Sequence, residues 1–399
     1  MKPRHRIAAV IEAFGMYLLV GAGSIIIGSS LPQLSARYGI SLPLAAALSS
    51  SFAAGRISTV FISGMLAERL GIRKVLILGV LALLLFFLGL PSTPLFAAGL
   101  TFAFIGGAGM GAQDVCCPLM LRDAFPRAYA SAMSASQIFF GAGSFLPPLI
   151  GGILLSRRQP FYCAYYVMAI LAAAMLITLP FALTGKTGEA KGRAESRAIS
   201  TRQAKLLLVL TAFTCFFYSF GNSALHLYLP SYIESRGFAQ HMSVMSLAFY
   251  SAGIIAGALL FTAVFRRASP MLVLMSNISA SLICLSVILV SNSFAALMAM
   301  LAFAGMFLGV LYTVLVAIAI SLTPNRAGRA AAAMAAANGA ANIASPLIAG
   351  AATASLGAKW VIYCAIIMLA AALASAFSCR LLHKRAAVCG RPVYKEETL

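Results

Sequence analysis

The sequence predicts an all-α membrane protein with twelve spanning helices, arranged as two related halves of six. Three observations carry this. Of 399 residues, 61% are hydrophobic and 10% charged, whereas soluble domains carry about 25% charged residues. Apolar stretches near the ~20 residues needed to cross a bilayer recur from end to end. The two halves also match each other at a constant offset of 198 residues.

Helices are the expected spanning element because each satisfies its own backbone N–H and C=O groups away from water. The spans fall at roughly 7–31, 43–67, 74–91, 94–121, 129–155, 160–184, 206–232, 242–265, 270–291, 294–321, 328–353 and 358–381. The first is too long for a cleaved signal peptide and holds Glu12 inside its apolar run. The segment GKTGEAKGRAESRAISTRQAK, 185–205, is polar enough to act as a solvated tether. It divides the chain into a bundle at 1–184, a basic linker at 185–205, a second bundle at 206–382 and a tail at 383–399.

The offset appears at several separate places. Gly107 and Gly111 fall on Gly305 and Gly309, and Gly141 falls on Gly339. Pro126 falls on Pro324, PLIGG (148–152) on PLIAG (346–350), and Arg69 on Arg267. One match between small residues means little. A shared register across loops and spans indicates a duplicated six-helix unit.

The net charge of +20 invites a nucleic-acid partner, but its distribution points to a lipid bilayer. With both termini in the cytoplasm, 23 of the 29 Lys and Arg lie on that side. Arg37, Arg157, Arg158, Arg236 and Lys359 lie outside, and Arg56 lies within a span. This is the bias that orients membrane helices. The eight cysteines show no metal-ligand spacing or disulfide framework, and Cys116 and Cys117 fit as small packing residues. Phosphate loops, nucleophile elbows and zinc motifs are absent. No enzyme activity, cofactor or metal is expected, and the chain is expected to be a monomer.

The stretch GMLAERLGIRK, 64–74, crowds four charges into a hairpin between two apolar runs. Gly64 suits a close helix approach and Gly71 a tight turn. The stretch resembles the signature G-x-L-x-D-R-x-G-R-[RK] of the major facilitator superfamily. Gly64, Leu66, Arg69 and Gly71 fit in order, followed by Arg73 and Lys74; Glu68 replaces the usual aspartate, and Ile72 adds a residue. A second stretch, GAGMGAQDVCCPLMLRDAFPRAYASAMSASQIFFGAGSFLPPLIGG (107–152), resembles the fourth and fifth spans of fucose-permease-like carriers. It lacks the asparagine those carriers often show after the acidic residue.

The resemblance implies a secondary transporter of the inner membrane that moves a small polar solute, a sugar or an organic-acid-like metabolite, by alternating access. With no ATP-binding motif, energy must come from an ion gradient or from the solute itself, and lone titratable carboxylates favour symport with protons over sodium. The 64–74 cluster would be a cytoplasmic latch between helices; its plainer alternative is a topology signal. Two alternatives to uptake stay open: proton-driven efflux of amphipathic compounds, and a non-transporting sensor built on a carrier fold.

Ionisable groups inside a bilayer cost a few kcal/mol on insertion scales, so they should face a cavity or a partner. At a rise of about 1.5 Å per residue, Arg56 and Asp114 each lie roughly 12 Å from one membrane face and Glu12 roughly 9 Å. An Arg56–Asp114 or Arg56–Glu12 pair is therefore possible. Asp114 and Glu12 are the proton-coupling candidates. A structural Asp114–Arg56 lock, or a Glu12 that snorkels to water, is the alternative. Tyr312 occupies the position repeat-related to Asp114. Tyr218, Asn222 and His226, spaced i, i+4 and i+8, form a polar stripe on the seventh span. With Arg56, Gln137, Tyr312, Asn338 and Asn342 they complete the substrate-binding candidates.

Overall fold

The computed structural model describes residues 3–125, 129–182, 202–264, 269–322 and 327–388. Within them the chain is helical, with short turns. The first half holds α1 (Pro3–Ser29), α2 (Leu31–Tyr38), α3 (Leu42–Ala45), α4 (Ala47–Leu70), α5 (Ile72–Ser92), α6 (Phe96–Ala124), α7 (Tyr129–Ser156) and α8 (Tyr162–Ala182). The second holds α9 (Arg202–Ser235), α10 (Gln240–Val264), α11 (Pro270–Val290), α12 (Phe294–Leu308), α13 (Leu311–Leu322), α14 (Ala327–Leu356) and α15 (Trp360–Val388). Twelve spans result, with α12 and α13 together forming the tenth.

By length and hydropathy alone, eight of the described helices qualify as membrane-crossing. Leu31–Tyr38 with Leu42–Val60 makes a ninth, bent by 106°. The others fall short for physical reasons. The apolar part of α8 is only Tyr162–Thr178. Helices α6 and α14 are rich in glycine, alanine and polar residues, which serve helix contact and the central site rather than lipid.

Boundaries differ from the sequence expectation at three points. Helix α9 already begins at Arg202 and α15 runs to Val388, so the last residues assigned to the linker and the first of the tail are helical. The rest of both, together with Pro126 and Pro324, lies outside the described residues. The span expected at 294–321 is interrupted at Gly309–Val310. A Cβ on Gly309 would press on the Ile254 side chain.

The repeat extends to individual contacts. Gly107 meets the Phe52 carbonyl, and Gly305, 198 residues on, meets that of Tyr250, the counterpart of Phe52. Gly55 abuts Phe104 and Ala108, while Gly253 abuts Ala302 and Met306, again 198 residues on in each case. Thus α6 crosses α4 as α12 crosses α10, with backbones touching because no Cβ intervenes. Gly39 (φ 62°) and Gly237 (φ 85°) keep the same offset and end α2 and α9 in the left-handed region that favours glycine.

The bundles meet with the same symmetry. Gly141 of α7 packs on Ile255 of α10, and Gly339 of α14 packs on Ile57 of α4. Further along, the Ser50 hydroxyl donates to the Ile343 carbonyl at 2.8 Å, and that of Ser251 to the Ser144 carbonyl at 3.1 Å. Near the end that carries Gly39 and Gly237, Gly28 touches the His226 backbone and Gly350 touches Pro43. These contacts run from mid-span to the end opposite the 64–74 hairpin.

Gly64 corrects the sequence expectation. A Cβ built there meets nothing within 4 Å among the described residues, so Gly64 makes no close approach to any of them. Gly71 does make the turn, with φ 85° between α4 and α5. The two glycines make a matched test. Gly107→Val should sharply lower the yield and melting temperature of folded protein, since overpacking costs about 1–3 kcal/mol even against yielding side chains and here it meets backbone. Gly64→Ala should leave melting unchanged or slightly raised, as Ala exceeds Gly by about 1 kcal/mol in helices. Fluorescence-detected size-exclusion chromatography with a heating step checks both.

Candidate functional site

The centre of the site is an ion pair between two crossing helices. Arg56 of α4 and Asp114 of α6 approach because Gly107 and Gly111 pack directly on the backbone around Arg56. The guanidinium donates twice: Nε to Oδ2 at 2.6 Å and Nη2 to Oδ1 at 3.1 Å. Of the two pairings the depth estimate allowed, the one with Asp114 is formed. Both side chains are about a quarter exposed, 27% and 26%, despite sitting well inside their helices. One turn away, the Thr59 hydroxyl donates to the Gly55 carbonyl at 2.7 Å and lies 3.2 Å from that of Ala108, tying the α4–α6 crossing together.

The second bundle contributes polar groups. Tyr312 of α13 is half-buried and within electrostatic range of both Arg56 and Asp114. On α14, Asn342 donates to the Asn338 carbonyl at 2.8 Å and to its Oδ1 at 3.1 Å. Both asparagines flank Gly339, which contacts Ile57 beside Arg56. Gln137 is half-buried on α7. It lies one turn before Gly141 and so shares the face turned to α10.

The stripe on α9 divides. Tyr218 is buried, and its hydroxyl donates to the Leu308 carbonyl at 3.0 Å. It satisfies a carbonyl at the α12–α13 break, where a regular helical partner is interrupted. Asn222 accepts a 2.5 Å hydrogen bond from Tyr250 of α10. The His226 ring stands edge-on to Tyr250 at 4.9 Å between centroids, and its buried Nε2 has no hydrogen-bond partner among the described residues. Tyr250 therefore organises this side, and the sequence analysis missed it. Its signal was present in the repeat, where it is the counterpart of Phe52 with a hydroxyl added.

Glu12 does not snorkel to water. It is 4% exposed on α1 and lies near Thr178 of α8, and its Oε2 has no hydrogen-bond partner among the described residues. Gln113, beside Asp114, is also buried, and its Nε2 has no hydrogen-bond partner among the described residues. Cys117 lies within electrostatic range of both Glu12 and Asp114. Cys116 and Cys117 are buried as packing residues. Among the described residues, no cluster of three or more His, Cys, Asp or Glu could hold a metal ion.

In the 64–74 hairpin, Arg69 and Lys74 are exposed and Arg73 is half-buried. The Glu68 side chain lies outside the described residues.

Two pseudo-symmetric six-helix bundles, with a charged pair on one facing polar groups on the other, define a multi-pass helical membrane protein of the carrier type. Comparison with known proteins identifies which. The Major Facilitator Superfamily profile matches residues 13–290, most of the chain, and the protein belongs to that superfamily. A relative in Bacillus subtilis (strain 168), the uncharacterized MFS-type transporter YfkL, is 27% identical over 276 residues, covering 64% of this chain and 66% of that one. The cis,cis-muconate transport protein of Acinetobacter baylyi is 23% identical over 241 residues, covering 57% and 58%. These alignments span less than two thirds of either relative's length. A solved D-xylose-proton symporter superposes with a TM-score of 0.72 at 13% identity, covering 95% of this chain and 97% of that one, and so shares the fold.

Proposed function

We propose that the protein is a proton-coupled secondary transporter that carries a small polar solute between its two bundles by alternating access. The observation that carries this reading is the partly exposed Arg56–Asp114 pair on the inner wall of one bundle, with Tyr312 of the other within its field. Asp114 is the coupling residue in this reading, with buried Glu12 as a second titratable group. Arg56, Gln137, Tyr312, Asn222, His226, Asn338 and Asn342 line the route, and Tyr250 joins them. The protein works as a monomer in a bacterial inner membrane, with both termini cytoplasmic and a basic linker joining the bundles. In this orientation the contacts at Gly28 and Gly350 close the outer end, and the site faces inward.

Two relatives suggest solute classes. One similar protein is named for cis,cis-muconate, an organic acid, and a structural neighbour is titled for D-xylose. The experiment is solute flux in proteoliposomes with an imposed pH gradient, acid outside. Gradient-dependent uptake that collapses on adding a protonophore supports the reading, whereas its absence across both solute classes would favour a sensor.

The hairpin carries its own prediction. If Glu68 and Arg69 latch the bundles in one state, Arg69→Ala should cut the transport rate several-fold while expression and melting stay close to wild type. An undiminished rate in well-folded Arg69→Ala would reduce the cluster to a topology signal.

A further inference from the structure

Arg56 already holds a carboxylate, and it is the chain's own. We propose that the Arg56–Asp114 pair is a carboxylate-binding site occupied by Asp114 when empty, and that the solute is an organic anion whose carboxylate displaces Asp114 from Arg56. The inference rests on the carrier reading above and adds the substrate class and the order of events.

Four features support it. First, the geometry is a fork: two guanidinium nitrogens each meet a different carboxylate oxygen, at 2.6 and 3.1 Å. An organic carboxylate presents the same two oxygens and can take the same place, whereas a sugar hydroxyl cannot match both contacts at once. Second, both partners are about a quarter exposed at a depth of roughly 12 Å in their helices. That exposure leaves one side of the pair open to an incoming group. Third, the repeat shows that the fold does not need the pair. The counterparts of Arg56 and Asp114 are Ile254 and Tyr312, and the second bundle makes the same glycine-mediated crossing without charges. Fourth, Tyr312 of the other bundle lies within electrostatic range of the pair, and a neutral hydroxyl can donate to a bound anion as the bundles close on it.

The exchange fixes the stoichiometry. Arginine keeps its charge at any relevant pH. A second carboxylate beside the same guanidinium would be repelled by ionised Asp114. Asp114 therefore takes a proton from the aqueous space onto a carboxyl oxygen and leaves Arg56 as the neutral acid. The solute carboxylate then accepts the freed Nε–H and Nη2–H bonds. No covalent bond forms or breaks. When the solute departs on the other side, Asp114 releases its proton there and re-forms the pair. One proton accompanies one carboxylate, so a monoanion crosses without net charge movement.

The test is ligand-induced thermal stabilisation of the purified full-length protein at pH 5.5 and pH 8.0. The probes are benzoate and cis,cis-muconate, with benzamide and D-xylose as neutral controls. At least one carboxylate should raise the melting temperature at pH 5.5, weakening by about tenfold in apparent affinity per pH unit where a proton must be taken up; benzamide should not. Asp114→Asn, which has no charge to displace, should bind the carboxylate alike at both pH values. Arg56→Gln should lose the response, and Arg56→Gln with Asp114→Asn, which leaves no unpaired charge, provides the same readout if the single variant is unstable. Stabilisation by D-xylose or benzamide with none by either carboxylate overturns the inference, as does carboxylate stabilisation that survives in the double variant. Failure here and failure of the carrier reading are separable. Carboxylate binding at Arg56 without gradient-driven uptake would sink the carrier reading alone. Proton-driven D-xylose uptake without carboxylate binding would sink this inference alone.

Discussion

Arg56→Met and Asp114→Asn should each lower the melting temperature of the detergent-solubilised protein, and the double variant should lose less than the worse of the two. Each single change leaves its partner's charge facing a bilayer interior without the fork of hydrogen bonds that now holds it. Breaking a fully buried pair costs about 3–5 kcal/mol. With both side chains about a quarter exposed, water relieves part of that charge, and a loss of about 2 kcal/mol per single variant is the scale to expect. Removing both charges leaves nothing to desolvate, and Ile254 and Tyr312 show that the crossing packs without them. A cycle over wild type, two singles and the double isolates the coupling. Losses that simply add would show that the two residues do not hold one another in the folded protein.

Much of this site was legible because helices convert residue counts into depth. A rise of about 1.5 Å per residue placed Arg56 and Asp114 at one level, and the structure joins them. The 198-residue offset marked the glycines where helices cross, and Gly107, Gly305, Gly141 and Gly339 all sit at such crossings. What spacing does not give is the direction of a side chain around the helix axis. Positions i, i+4 and i+8 drift by about 80° at 3.6 residues per turn. Tyr218 accordingly turns to Leu308 of α12, while Asn222 and His226 reach Tyr250 of α10. The expectation for Gly64 failed for a related reason: a glycine in a motif states that no side chain is present, not what stands opposite. Glu12 looked near enough to the membrane face to reach water, but the α1–α8 packing encloses it, and packing between helices distant in sequence is invisible to a depth count.

The largest functional effect should come from Asp114→Asn. A proton-driven carrier needs a group that gains a proton on one side and loses it on the other, and Asp114 is placed to do so because its one described partner is a permanent cation that a solute can engage instead. Asparagine keeps the shape of the side chain and can still accept from Arg56, but it cannot titrate. Uptake against a concentration gradient, which draws on proton movement, should therefore fall to the equilibrium level. Counterflow, in which labelled solute exchanges for unlabelled solute across the membrane, requires no net proton movement and should persist at a rate comparable to wild type. It should also lose its dependence on pH, since the step that required Asp114 to take up a proton no longer exists. Both assays run on the same proteoliposomes, so protein amount and orientation cancel. If Asp114→Asn still concentrates solute under an acid-outside gradient as the wild type does, coupling lies elsewhere. Glu12, the other acid buried in the first bundle, is then the residue to change to glutamine in the same pair of assays.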